Sequence, residues 1–153
     1  MPYPSNEPVN SYAPGTIERE NLLNKYKEMY NQKPIHVPLY IGGEEIETDN
    51  KLKMSPPHDH KHTLGHFSVG TKEHVIKAID TALAAREQWS NMPWEHRATI
   101  FLKAADLLAG PYRDEINAAT MLGQSKNVFL ADIDASCELI DFLRFNVAYM
   151  QQI

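Results

Sequence analysis

Apolar residues are sparse before residue 16 and then fall into a helical rhythm. Leu22, Leu23, Tyr26, Met29 and Tyr30 recur at the spacing that places side chains on one face of a helix, predicted from about residue 16 to residue 32. Thr16 can cap it, Glu18 suits the positive end of its dipole, and Pro34 ends it. The period then shortens. Residues 37–41 and 44–48 flank Gly42-Gly43, which predicts a hairpin, because a two-residue primed turn needs positive φ at both central positions. Further strands are predicted at 51–55 and 66–69, with the intervening Pro56-Pro57-His58-Asp59-His60-Lys61-His62 as loop.

From Thr71 onward the pattern is helical. Thr71 caps a helix with the stripe Val75, Ile76, Ile79, Leu83 and Trp89. Pro93 opens the next, which carries Ile100, Phe101, Ala104, Leu107 and Leu108 and is stopped by Gly110-Pro111. A short helix is predicted from Tyr112 to Leu122, ended by Gly123. The last helix begins near Lys126 with Phe129, Ile133, Ile140, Leu143 and Val147 on its stripe, and the chain ends within that pattern, as a truncated sequence would. The expected fold class is α+β and mainly helical: an extended arm over 1–15, a helix and β-hairpin region over 16–70, and a helical region over 71–153.

Composition narrows the function classes. At 153 residues, with 42% hydrophobic and 23% charged residues, the chain can bury one ordinary core. The net charge is −5 with no Lys/Arg cluster against it, which argues against a nucleic-acid partner. No apolar run reaches the roughly 20 residues of a membrane span. The single cysteine, Cys137, cannot form an internal disulfide, and a reducing, cytoplasmic location is expected.

Three features carry candidate chemistry. Four of the seven histidines lie between His58 and His66. Imidazoles in alternation can hold zinc or nickel, but a closed site needs a fixed ligand set and no cysteine is near, so a solvated loop is the favoured reading. Cys137 is expected to be a core or half-buried helix residue without a cationic partner that would make it a thiolate. Asp134, Glu138 and Asp141 lie three or four positions apart, with Phe142 and Phe145 at the edge of the same side. That face is a solvated surface by default. An acid beside aromatic rings can also receive an ammonium group. No Ser-His-Asp arrangement, glycine-rich phosphate cradle or ligand-spaced cysteine pair is present.

Several longer stretches are more specific. Asn6-Glu7-Pro8-Val9, Ala78-Ile79-Asp80-Thr81-Ala82-Leu83-Ala84-Ala85-Arg86, Ile100-Phe101-Leu102-Lys103-Ala104-Ala105-Asp106-Leu107-Leu108-Ala109-Gly110-Pro111 and Ala135-Ser136-Cys137-Glu138-Leu139-Ile140-Asp141-Phe142-Leu143-Arg144-Phe145-Asn146, with the Trp89 segment and Arg97, resemble the start of long-form pyrroline-5-carboxylate dehydrogenases, within the aldehyde dehydrogenase superfamily. The likeness keeps its order over nearly the whole chain. It implies the N-terminal part of an aldehyde dehydrogenase fold, in an enzyme that oxidises glutamate 5-semialdehyde to glutamate with NAD in proline catabolism. The family mechanism uses a cysteine thiolate, hydride transfer to nicotinamide and hydrolysis. Its nucleophile lies downstream in a Gly-Gln-Lys-Cys type motif absent here, and Cys137 does not match it. The resemblance therefore implies no catalytic, cofactor-binding or metal-binding residue in this chain. It implies one substrate residue, Glu138, which matches the family glutamate that meets the substrate α-ammonium. The fragment alone is expected to be inactive. The expected partners are the semialdehyde, the remainder of the dehydrogenase chain and further copies of the same subunit. The rival reading is a non-catalytic helical interaction module; a metal-binding domain built on the His loop is the second rival.

Overall fold

The computed structural model describes residues 3–153 and divides into two compact units, Gln32–Pro93 and the remainder. In the first, β1 (Ile35–Val37) pairs parallel with β5 (Gly65–Ser68), and β5 pairs antiparallel with β4 (Lys51–Met54), giving the order β1-β5-β4. A separate two-stranded hairpin joins β2 (Leu39–Ile41) to β3 (Glu44–Ile46), with Ile41 opposite Glu44. Gly42 and Gly43 take φ of 65° and 83° at its tip, the backbone the glycine pair predicts. The single run expected at 37–41 is interrupted at Pro38, which has no N–H to continue a ladder, so Val37 and Leu39 serve different sheets. Helix α2 (Lys72–Asn91) completes this unit; Lys77 Nζ lies 2.7 Å from Glu44 of β3. His74, rather than the usual Glu or Gln, reaches back at its start, its Nδ1 accepting the Thr71 N–H at 3.0 Å. The predicted stripe of Val75, Ile76, Ile79 and Leu83 is present but exposed.

Gly65 sits in the middle strand, where a Cβ would stand 2.3 Å from the Ile35 carbonyl oxygen and 2.9 Å from Met54 Cε. The collision is with backbone, which cannot swing aside. Gly65→Ala is expected to destabilise this unit by roughly 1–3 kcal/mol, lowering the thermal midpoint. An unchanged midpoint would mean that the strands separate without penalty.

The second unit contains the arm, α1 (Ile17–Asn31), α3 (Trp94–Ala109), α4 (Arg113–Gln124), the short α5 (Val128–Ala131) and α6 (Glu138–Met150). Between α5 and α6 the chain winds as a π-helix from Asp132 to Cys137. The last helix is thus not the uninterrupted α-helix that its apolar spacing suggests. Helix α1 packs on α4 and α3 packs on α6. On α3, Ala98 and Ala105 are buried; on α6, Ile140 and Val147 are. Each pair is seven residues apart, so two short alanines on one helix leave room for two branched side chains on the other. Gly123 does not end α4, which continues to Gln124; Ser125 takes the left-handed conformation there, with φ of 57°. Thr16 does not cap α1 through its side chain as expected: its hydroxyl donates to the Ala13 carbonyl at 2.8 Å.

The arm has no regular secondary structure, yet it is anchored. Tyr12 is buried with Leu22 and Ala118, and Tyr26, Met29, Met121 and Val128 close around them. Its φ of 49° is unusual for an aromatic residue. The conformation is held by its surroundings: Arg19 donates to the Tyr12 carbonyl at 3.0 Å, and the phenol donates to the buried Asp132 carboxylate at 2.8 Å.

Candidate functional site

The three acids read from the sequence as one face have different fates. Lys126 Nζ engages Asp134 at 2.6 Å. Asp141 is taken by the arm, accepting from Asn6 Nδ2 and from the Glu7 backbone N–H, both at 2.7 Å. Glu138 alone is exposed without a hydrogen bond or ion pair among the described residues. Glu138 and Asp141 stand on α6, whereas Asp134 lies within the π turn. The wider winding there shifts everything before Glu138 around the helix axis relative to α6.

Glu138 opens α6 and borders a hollow of about 370 Å³ lined also by Asn6, the arm-bound Asp141, Phe142, Phe145, Asn146 and Tyr149. Phe142, Phe145 and Tyr149 come four, seven and eleven positions after Glu138, which puts them on its side of the helix. Phe145 and Tyr149 have ring centroids 6.2 Å apart, and Tyr3 of the arm meets Phe145 edge-on at 5.7 Å. A free carboxylate at the rim of an aromatic hollow suits a small cation: the acid supplies charge and the ring faces supply quadrupole attraction.

Behind this surface lies a buried ionic cluster that sequence reasoning missed. Asp132 opens the π turn with no exposed surface. Its Oδ1 accepts from the Tyr12 hydroxyl (2.8 Å), Arg113 Nε (2.9 Å) and Asn117 Nδ2 (2.8 Å), and its Oδ2 from the Asn10 N–H (3.0 Å) and Arg113 Nη2 (2.9 Å). Arg113 reaches further, to Glu7 at 2.7 Å and the Pro8 carbonyl at 2.8 Å, and Glu7 also pairs with Arg144 of α6 at 2.6 Å. The arm is thus fastened to α4, the π turn and α6 by one set of charges. Burial works against the Asp132 carboxylate, but Arg113 and the Asn10, Tyr12 and Asn117 donors outweigh it and hold the group below the ordinary carboxylate range. Burial and the hydrogen bond to Asp132 push the Tyr12 phenol up to about 12. One signal was available. Asp132 and Ser136 fall eight and four positions before Ile140, in phase with a core residue, where a polar pair is out of place unless satisfied.

Cys137 is 5% exposed, as a core helix cysteine should be. The expectation that it has no cationic partner is corrected, since Arg113 Nη2 lies 3.3 Å from its sulfur. No thiolate results: burial and the nearby Asp132 charge push the thiol up to about 11 despite the guanidinium. Cys137 is therefore not placed as a nucleophile. In the His loop, no group of three or more His, Cys, Asp or Glu is arranged to hold a metal among the described residues. No helix among the described residues is long and apolar enough to cross a membrane.

Comparison with known proteins gives this geometry a context. Residues 45–153 match the aldehyde dehydrogenase family. The chain is 50% identical over 153 residues to delta-1-pyrroline-5-carboxylate dehydrogenase of Agaricus bisporus, covering all of this chain and 28% of that protein. It is 43% identical over 149 residues to the human mitochondrial delta-1-pyrroline-5-carboxylate dehydrogenase, covering 97% of this chain and 26% of the relative. A crystal structure of the Mycobacterium tuberculosis delta-pyrroline-5-carboxylate dehydrogenase bound with NAD is similar over 99% of this chain and 28% of its own, with a TM-score of 0.95 and 46% identity. The chain thus spans little more than a quarter of these relatives, and over that span its sequence and its fold agree with theirs. It belongs to the aldehyde dehydrogenase family.

Proposed function

We propose that these residues form the amino-terminal segment of an NAD-dependent dehydrogenase that oxidises glutamate 5-semialdehyde, the open form of pyrroline-5-carboxylate, to glutamate. The observation that carries this reading is the 50% identity over all 153 residues to a relative so named. On this reading the arm and hairpin region precede a helical region over 71–153 that belongs to the amino-terminal and cofactor-binding part of the enzyme. Glu138 receives the substrate α-ammonium at the rim of the aromatic hollow. NAD would supply the hydride acceptor in the whole enzyme, and none of these residues is assigned to hold it. The reacting thiolate comes from outside these residues, because their one cysteine is buried and holds its proton. The exposed apolar stripe of α2 fits a surface covered by the rest of the subunit, and the whole enzyme is read as a homo-oligomer. The lone thiol suits a reducing compartment, the cytoplasm or, as in the name of the human relative, the mitochondrion.

The test is an assay of NADH formed from glutamate 5-semialdehyde. The full-length enzyme is expected to turn over, and the 153 residues alone to give no rate above background, since loss of a nucleophile costs many orders of magnitude. Inactivity of the full-length protein toward the semialdehyde would contradict the substrate. Turnover proportional to the concentration of the isolated segment would contradict the placement of the nucleophile.

A further inference from the structure

The π turn is pinned at both ends by two residues of one helix. Arg113 and Asn117 are four apart on α4, hence on one face. At the start of the turn both donate to Asp132. At its end, Asn117 Oδ1 accepts from the Ser136 hydroxyl at 2.6 Å, and Arg113 Nη2 lies 3.3 Å from Cys137 Sγ. Asn117 and Ser136, like Asp132, have no exposed surface. The amide of Asn117 is engaged at both ends: its nitrogen donates to Asp132 and Tyr12, and its oxygen accepts from Ser136.

The turn runs directly into Glu138, the first residue of α6, whose backbone N–H donates to the Ile133 carbonyl inside the turn, so the winding bears on how that residue is held. A π turn holds one more residue than the α-helical turn it replaces. Each residue of an α-helix advances the next by about 100°. If the segment relaxed to α-helical winding, with α6 still packed on α3 through Ile140 and Val147, the chain before Ile140 would have to shift in register. Glu138, two residues from that anchor, would be the first charged side chain to feel the strain. From this geometry we infer that Arg113, Asn117 and Ser136 form a clamp that sets the position of Glu138 against the aromatic hollow, so that they are positioning residues for recognition of the substrate ammonium. The inference rests on the proposed role of Glu138.

Ser136→Ala is the cleanest probe, because it removes one hydroxyl and creates no clash. It is made in the full-length enzyme alone, and together with Glu138→Gln. Specificity constants are measured for the semialdehyde and for the analogue that lacks the amino group. Ser136→Ala is expected to lower the constant for the semialdehyde by roughly three- to tenfold, mostly through KM, with a smaller loss for the analogue. In the Glu138→Gln background, the same change is expected to cost the semialdehyde little more. Asn117→Ala, read the same way, provides a second probe should Ser136→Ala be accommodated by a small shift of Asn117. Independent, multiplicative losses in the double variants would overturn the clamp, because the buried residues would then act without Glu138. So would equal losses on both substrates from Ser136→Ala and Asn117→Ala. Should Glu138→Gln by itself affect both substrates alike, the ammonium site is wrong, and the clamp's role in recognition falls with it.

Discussion

Replacing Arg113 by methionine is expected to destabilise the unit that carries the arm and α6 by about 3–5 kcal/mol, the cost of leaving a buried charge without its partner. Methionine approximates the length of the arginine stem, so the loss falls on the guanidinium. That group donates to Asp132, Glu7 and the Pro8 carbonyl at 2.7–2.9 Å. Without it Asp132 remains inside the protein with only neutral donors, and Glu7 keeps only Arg144. Lysine does not repair this, because a single ammonium cannot meet three acceptors in the plane of a guanidinium fork. Hydrogen exchange localises the effect. The Asn10 amide, bonded to Asp132, is expected to lose protection by a factor of about 10²–10⁴. Unchanged protection there would show that the arm is held by its apolar contacts alone.

The same substitution changes the response to acid. Asp132 lies below the ordinary carboxylate range in the folded protein because Arg113 and the other donors outweigh its burial. A carboxyl depressed in this way contributes fully above its unfolded pKa of about 3.9, and the contribution is lost as pH falls through the lower folded value. The native protein therefore gains stability from Asp132 as pH rises through the acid range. Removal of Arg113 brings the carboxyl back toward its unfolded value and flattens that part of the profile. A variant with an acid profile parallel to the native one would place the acid sensitivity elsewhere.

Local signals in the sequence were enough for most of the elements. The helical spacing of Leu22, Tyr26 and Met29 marks α1, and Gly42-Gly43 marks the hairpin, because each pattern reflects a backbone preference confined to a few neighbours. The break at Pro38 was available in the same terms, through the missing N–H. The π turn was not, since its apolar residues also satisfy an α-helical stripe and the turn is fastened by side chains from α4 and the arm. Arg113 joins Glu7 and Asp132, which stand at opposite ends of the chain. No periodicity reports such contacts. The candidate site was half legible. Spacing grouped Glu138 with Asp134 and Asp141, and the family resemblance singled it out; the structure adds that the charges of the other two are occupied by Lys126 and by the arm.

Glu138→Ala in the full-length enzyme tests the central claim most directly. Glu138 has no partner among the described residues, so its removal leaves no buried group unpaired and is not expected to harm the fold. On the proposed reading it removes one charge-assisted contact to the substrate, worth roughly 1.5–3 kcal/mol. That corresponds to about a ten- to hundredfold loss in specificity constant. The loss is confined to substrates that bear the ammonium. The measurement is therefore a pair of specificity constants, for glutamate 5-semialdehyde and for the aldehyde of the same length without the amino group, in native enzyme and variant. The account predicts a large loss on the first and little on the second. Equal losses on both, or none on either, would contradict it and return Glu138 to the solvated acidic surface.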